Sequence, residues 1–133
     1  MTVEALKASE AARDQEHKAI AVTDAVATKH ETAVVQIRTV YRDIVKEVPT
    51  YVTAQADAAC VVPVGFVRFH DAAAAGRFPD SAGLADEAPS GIALSAVAAA
   101  VGENYGTYAE VSRQLIDLQD WVGAQQALAT PAR

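Results

Sequence analysis

TVEALKASEAARDQEHKAIAVTDAVATKHETAVVQIRTVYRDIVKEV, residues 2–48, contains neither glycine nor proline. Ala, Glu, Lys, Gln and Arg recur throughout it, so propensity and the absence of breakers predict one long helix. At 1.5 Å per residue such a helix would extend about 70 Å, the length of a rod rather than a packed domain. A heptad fits it with Leu6, Arg13, Ile20, Ala27, Val34, Tyr41 and Val48 at a, and Ser9, Glu16, Thr23, His30, Ile37 and Ile44 at d. The first half of that seam is polar or small and the second half is apolar, which places association of the rod at Val34, Ile37, Tyr41 and Ile44.

Outward from the rod the punctuation changes: all 5 prolines and all 7 glycines follow residue 48. Pro49 ends the helix by biasing its predecessor away from helical geometry. Residues 49–64 then read as a connector, extended or a short strand. A short helix is expected over 65–75, with Phe66 and Phe69 on one face. Residues 76–91, GRFPDSAGLADEAPSG, form a loop by composition. Ser90 or Ser95 is suited to cap a last helix over 95–127. Within that helix Val97, Val101, Asn104, Tyr108, Val111, Leu115, Leu118 and Val122 alternate spacings of four and three. Phe66, Phe69, Val101, Leu115, Leu118 and Trp121 are therefore the expected packing residues of a C-terminal head. Gly102 and Gly106 each weaken this helix by about 1 kcal/mol relative to alanine. The expected architecture is all-α: a stalk (1–48), a connector (49–64) and a small helical head (65–133).

Composition limits what this chain can do. Of 133 residues 51% are hydrophobic, but 30 are alanine, leaving few large side chains for a core or a deep cleft. The net charge of −6 disfavours a general nucleic-acid binder, which needs a basic stripe, and an anionic membrane surface. No apolar run approaches the roughly 20 residues of a membrane span, and the N-terminal residues do not read as a signal peptide, so the chain as written is expected to be soluble.

Residues able to carry chemistry are few. Cys60 and His70 are the only thiol and imidazole that could be combined for nucleophilic catalysis, and no orienting group or oxyanion site accompanies them. His17, His30 and His70 lack metal-ligand spacing. Neighbouring His70 and Asp71 point about 100° apart on a helix. The glycines form no phosphate-binding pattern. Arg68 and Arg77 can pair with Asp80 or Asp86 as ordinary surface ions. Neither catalytic residues nor a cofactor or metal site is expected, and the residues point to contact with other proteins.

Three stretches together carry a resemblance: IVKEVPTYV (44–52), CVVPVGFVRFHDAAAAG (60–76), and NYGTY (104–108) followed by QLIDLQDWV (114–122). In this order and spacing they resemble the periplasmic part of Rz-like inner-membrane spanins, lysis proteins of tailed phages and prophages of Gram-negative hosts. The resemblance implies a non-enzymatic protein that meets an outer-membrane lipoprotein spanin and disrupts or fuses the outer membrane during host lysis. It also implies a homodimer through the stalk and a place on the periplasmic face of the inner membrane, held by an anchor upstream of the residues given. Where the family commonly carries a cysteine this chain has Tyr108, while Cys60 is kept, so Cys60 is available for a disulfide with Cys60 of a second chain. An older description of such proteins as peptidases, and a cytosolic phage structural or adaptor protein, are the rival readings.

Overall fold

A computed structural model describes residues 2–130, which contain helices and no strand. The elements are α1 (Val3–Lys46), α2 (Val48–Tyr51), α3 (Ala54–Ala59), α4 (Val64–Ala74), a 3₁₀ turn (Leu84–Glu87) and α5 (Leu94–Ala129). The all-α expectation and the two long helices are thus present.

α1 opens where Thr2 Oγ1 accepts a hydrogen bond from the Ala5 N–H at 3.2 Å, satisfying one of the helix's orphan donors. It then runs without interruption to Lys46. Pro49 both ends it and sits in the first turn of α2, where its missing N–H is not needed. The connector expected to be extended over 49–64 is instead mostly two short helices, α2 and α3. Thr53 caps α3 by accepting from Ala56 N at 3.2 Å. α4 ends before Gly76, whose φ of +66° is the left-handed conformation that glycine adopts without a Cβ penalty.

The chain forms two compact units that do not follow the division expected at residues 48 and 64. One comprises residues up to Val40 together with those from Gly106 onward; the other is Tyr41–Tyr105.

In the first unit α1 and α5 make an antiparallel helical hairpin. Gln15 Nε2 reaches the Leu128 carbonyl, Gln125 Nε2 the Ala19 carbonyl, and Trp121 Nε1 donates to Thr23 Oγ1 at 3.0 Å. Farther along, Lys29 pairs with Asp120 and Arg38 with Glu110. The stalk is therefore not a lone rod: the C-terminal helix returns along it. The half-buried face of α1 passes through Ala19, Val22, Val26, His30, Ala33 and Ile37, spaced three or four apart, with Val34 beside Ala33. The 18 residue steps from Ala19 to Ile37 make five turns at 3.6 per turn, the period of an unsupercoiled helix. This explains why the strict seven-residue register placed Ile20, Thr23 and Ala27 on the seam: all three are exposed, one position off the covered face.

The second unit holds the buried hydrophobic residues among those described, Val48 and Val62. Its loops are tied by Val64 N–H to the Ala88 carbonyl at 2.8 Å and Ser90 N–H to the Val62 carbonyl at 2.9 Å. α5 is not capped by Ser90 or Ser95. Asp57 of α3 accepts from the Ser95 N–H at 2.7 Å and from the Ser95 hydroxyl, so the cap comes from a distant helix. Gly102 lies against α1, where an added Cβ would meet Val45 Cγ2 at 3.0 Å. The glycine that weakens α5 locally thus permits a close helix approach.

Candidate functional site

The covered face of α5 in the hairpin is built from small and polar residues. Gly106 and Asp117 are buried, and Ala109, Arg113, Trp121 and Ala124 are half-buried. Small side chains let the helices approach closely, and the polar ones are satisfied by partners. Asp117, 3% exposed, accepts from Arg113 Nε at 2.8 Å, one turn away on the same helix, and lies 2.9 Å from His30 Nδ1 on α1. Lys29 adds a cation 4.0 Å from the same carboxylate. The Arg113 hydrogen bonds, with help from His30, hold the Asp117 carboxyl far below the usual carboxylate range despite its burial. Glu110 is likewise lowered by its hydrogen bonds from Arg38.

With that face turned inward, the large apolar residues of α5 are turned outward. Tyr108, Val111, Leu115, Leu118 and Val122 are between 39% and 68% exposed. Of the six residues expected to pack the head, Phe66, Phe69, Val101, Leu115 and Leu118 are exposed and only Trp121 is half-buried. The expectation failed because it assigned the large apolar stripe to the interior. In the chain, alanine, glycine and a buried charge cluster take that place. Asn104, also expected on the seam, is exposed, 3.5 Å from His70 Nε2. The residues expected to join two stalks divide similarly: Val34, Ile37 and Tyr41 are half-buried within the chain, and Ile44 is exposed.

The residues weighed for catalysis are not assembled into a site. Cys60 is an exposed free thiol at the C-terminal end of α3. His70 Nδ1 instead contacts Asp71 Oδ1 at 3.2 Å, although sequence neighbours on a helix point apart, and both side chains are solvated. Among the described residues no group of three or more His, Cys, Asp and Glu side chains could hold a metal ion. Arg68 pairs with Asp86, one of the acidic partners considered from sequence, and its hydrogen bonds lower the Asp86 carboxyl. A mostly apolar cleft of about 280 Å³ opens between α4 and the start of α5, lined by Phe66, His70, Ile92, Val97 and Val101. No helix among the described residues is long and apolar enough to cross a membrane.

No protein-family model, curated protein or solved structure matches the chain.

Proposed function

We propose that this chain is the periplasmic portion of a spanin-type lysis protein, acting with an outer-membrane lipoprotein to disrupt or fuse the outer membrane. The observation that carries the reading is the ordered set of three motifs at 44–52, 60–76 and 104–122. It is supported by two long helices whose large apolar residues are presented outward, as a protein that works by association requires. The work would be mechanical: helix association releases free energy that offsets bringing two membranes together. The proposed role is a non-enzymatic one.

The test is complementation. The chain, carried behind an N-terminal transmembrane anchor and co-expressed with the lipoprotein spanin of the same genome, should restore lysis to a Gram-negative host whose phage lacks its own spanins. Failure of the pair to lyse cells that have already lost their cell-wall barrier overturns the proposal. Cleavage of cell-wall crosslinks by the purified chain, abolished by Cys60→Ala with His70→Ala, would establish the peptidase reading instead.

A further inference from the structure

We propose that the cleft between α4 and the start of α5 binds a small organic cation, an ammonium group carried on an apolar body of about one ring. The cleft lies wholly within the second compact unit, so a single folded body supplies all its walls. On α4 the lining residues are the pairs 66/70 and 67/71, and on α5 the pairs 96/100 and 97/101. Four-residue spacing stacks each pair one turn apart, so each wall is about 8 Å long, enough for a ring and a short chain.

Volume and wall chemistry set the size of the guest. The cleft encloses about 280 Å³, approaching twice the roughly 150 Å³ of an apolar cavity that takes up benzene. It stands at the small end of the range for small-molecule sites. Most of its lining is hydrocarbon, yet Phe66, Ile92 and Val101 remain 43%, 43% and 45% exposed. An apolar guest would therefore remove from water a wall surface that folding leaves wet.

Charge sets its sign. The polar side chains lining the cleft are His70 and Asp71, with no Lys or Arg among the lining residues. His70 Nε2 stands 3.5 Å from Asn104 Nδ2, an amide nitrogen that can only donate. Nε2 is therefore the acceptor and the ring hydrogen lies on Nδ1, 3.2 Å from Asp71 Oδ1. That arrangement gives Asp71 a hydrogen bond without cancelling its charge. Among the described residues no Lys or Arg pairs with Asp71, and neighbouring Arg68 is taken by Asp86. A carboxylate at the edge of a hydrocarbon cleft complements an ammonium head and repels an anionic one. Because Asp71 is well exposed, it contributes selectivity while the apolar walls contribute most of the affinity. The inference is independent of the lysis reading.

Three probes share a ring and a short chain and differ in charge: phenylethylammonium, phenylethanol and phenylpropanoate. Titrated into the full chain and followed by amide NMR spectra, the ammonium should shift signals of Val67, His70, Val97 and Val101 at millimolar concentration. It should bind about threefold more tightly than the alcohol, as an exposed ion pair allows, and the carboxylate should bind most weakly. Asp71→Asn should make the ammonium and the alcohol equal while leaving the alcohol's affinity unchanged. Ala100→Leu, which fills the cleft from its half-buried wall, should abolish binding of all three while helical circular dichroism is retained. Ala96→Leu, at the exposed edge of the same wall, gives the same readout if the first variant does not fold. Absence of cleft shifts with millimolar ammonium, equal affinity of ammonium and alcohol in the parent chain, or binding that survives the folded filling variants overturns the proposal.

Discussion

Asp117 and His30 meet across the hairpin at 2.9 Å, a carboxylate of α5 against an imidazole of α1, in the most buried polar position of the described chain. The contact fixes the helices' register where no large apolar residue interlocks. Asp117 takes hydrogen bonds from Arg113 as well, so its charge is compensated from both helices. Removing the carboxylate would strand the Arg113 guanidinium in a half-buried position.

The sign of the acid response follows. Because the folded-state pKa of Asp117 is depressed, the unfolded chain binds the proton first, and the carboxylate's stabilisation is fully present above its unfolded value of about 3.9. It is lost as pH falls below that value toward the folded one. Asp117→Asn should lower the thermal midpoint by several degrees at neutral pH, and the difference from the parent chain should begin to shrink below about pH 4. Calorimetry across that range decides it; a difference that grows with acid would contradict the assignment.

Glycine substitutions should separate by sign. A Cβ on Gly65 would stand 2.7 Å from Asp86 Cβ and 3.2 Å from the Asp86 carbonyl oxygen, so α4 and the 3₁₀ turn would have to part. Gly65→Ala should therefore destabilise by about 1–3 kcal/mol, outweighing its better helix propensity. At Gly123, in α5, nothing lies within 4 Å of an added Cβ, and Gly123→Ala should stabilise by up to about 1 kcal/mol. Urea denaturation of both variants reads the contrast, and equal signs would contradict it.

What could be read from sequence depended on the range of the interaction. α1 was legible because 47 residues without glycine or proline leave helix as the local preference, and α4 and α5 began and ended within a few residues of expectation. The connector was misread because β-branched Val52, Val61 and Val62 concealed the helical AQADAA between them. The hairpin face was misread for a deeper reason. Periodicity identified the largest apolar stripe of α5 correctly but did not say whether this chain or another molecule covers it. The face that packs within the chain uses Ala109, Ala124 and a charged cluster, whose signal depends on His30 standing 87 residues away. Arg68 with Asp86 was accessible because the two lie in adjoining segments. Asp57 as the cap of α5 had no local sign.

That distant cap yields a third expectation. Asp57 accepts from the Ser95 N–H at 2.7 Å, satisfying an orphan donor at the start of α5 while tying α3 to it. Asp57→Ala should cost about 1 kcal/mol, and Asp57→Asn, which keeps an acceptor oxygen, should recover most of it. Amide hydrogen exchange in the first turn of α5 should accelerate in the alanine variant; unchanged protection there would show that the cap contributes nothing.

Thr23 offers the corresponding test within the hairpin. Its hydroxyl donates to the Ala19 carbonyl at 3.0 Å and accepts from Trp121 Nε1 at the same distance, with Gln125 Nε2 at 3.4 Å. Thr23→Val preserves the shape and removes the acceptor, leaving the half-buried indole N–H without its partner, so a loss of about 1 kcal/mol is expected. Thr23→Ser keeps the hydroxyl and should retain most of the stability. Trp121 is the only tryptophan in the chain, so its emission follows the hairpin directly as denaturant is added. The valine variant should lower the transition midpoint at an unchanged slope, since the surface exposed on unfolding is nearly the same. If valine and serine shift it equally, the hydroxyl's bond to Trp121 is not what holds α5 to α1 at this point.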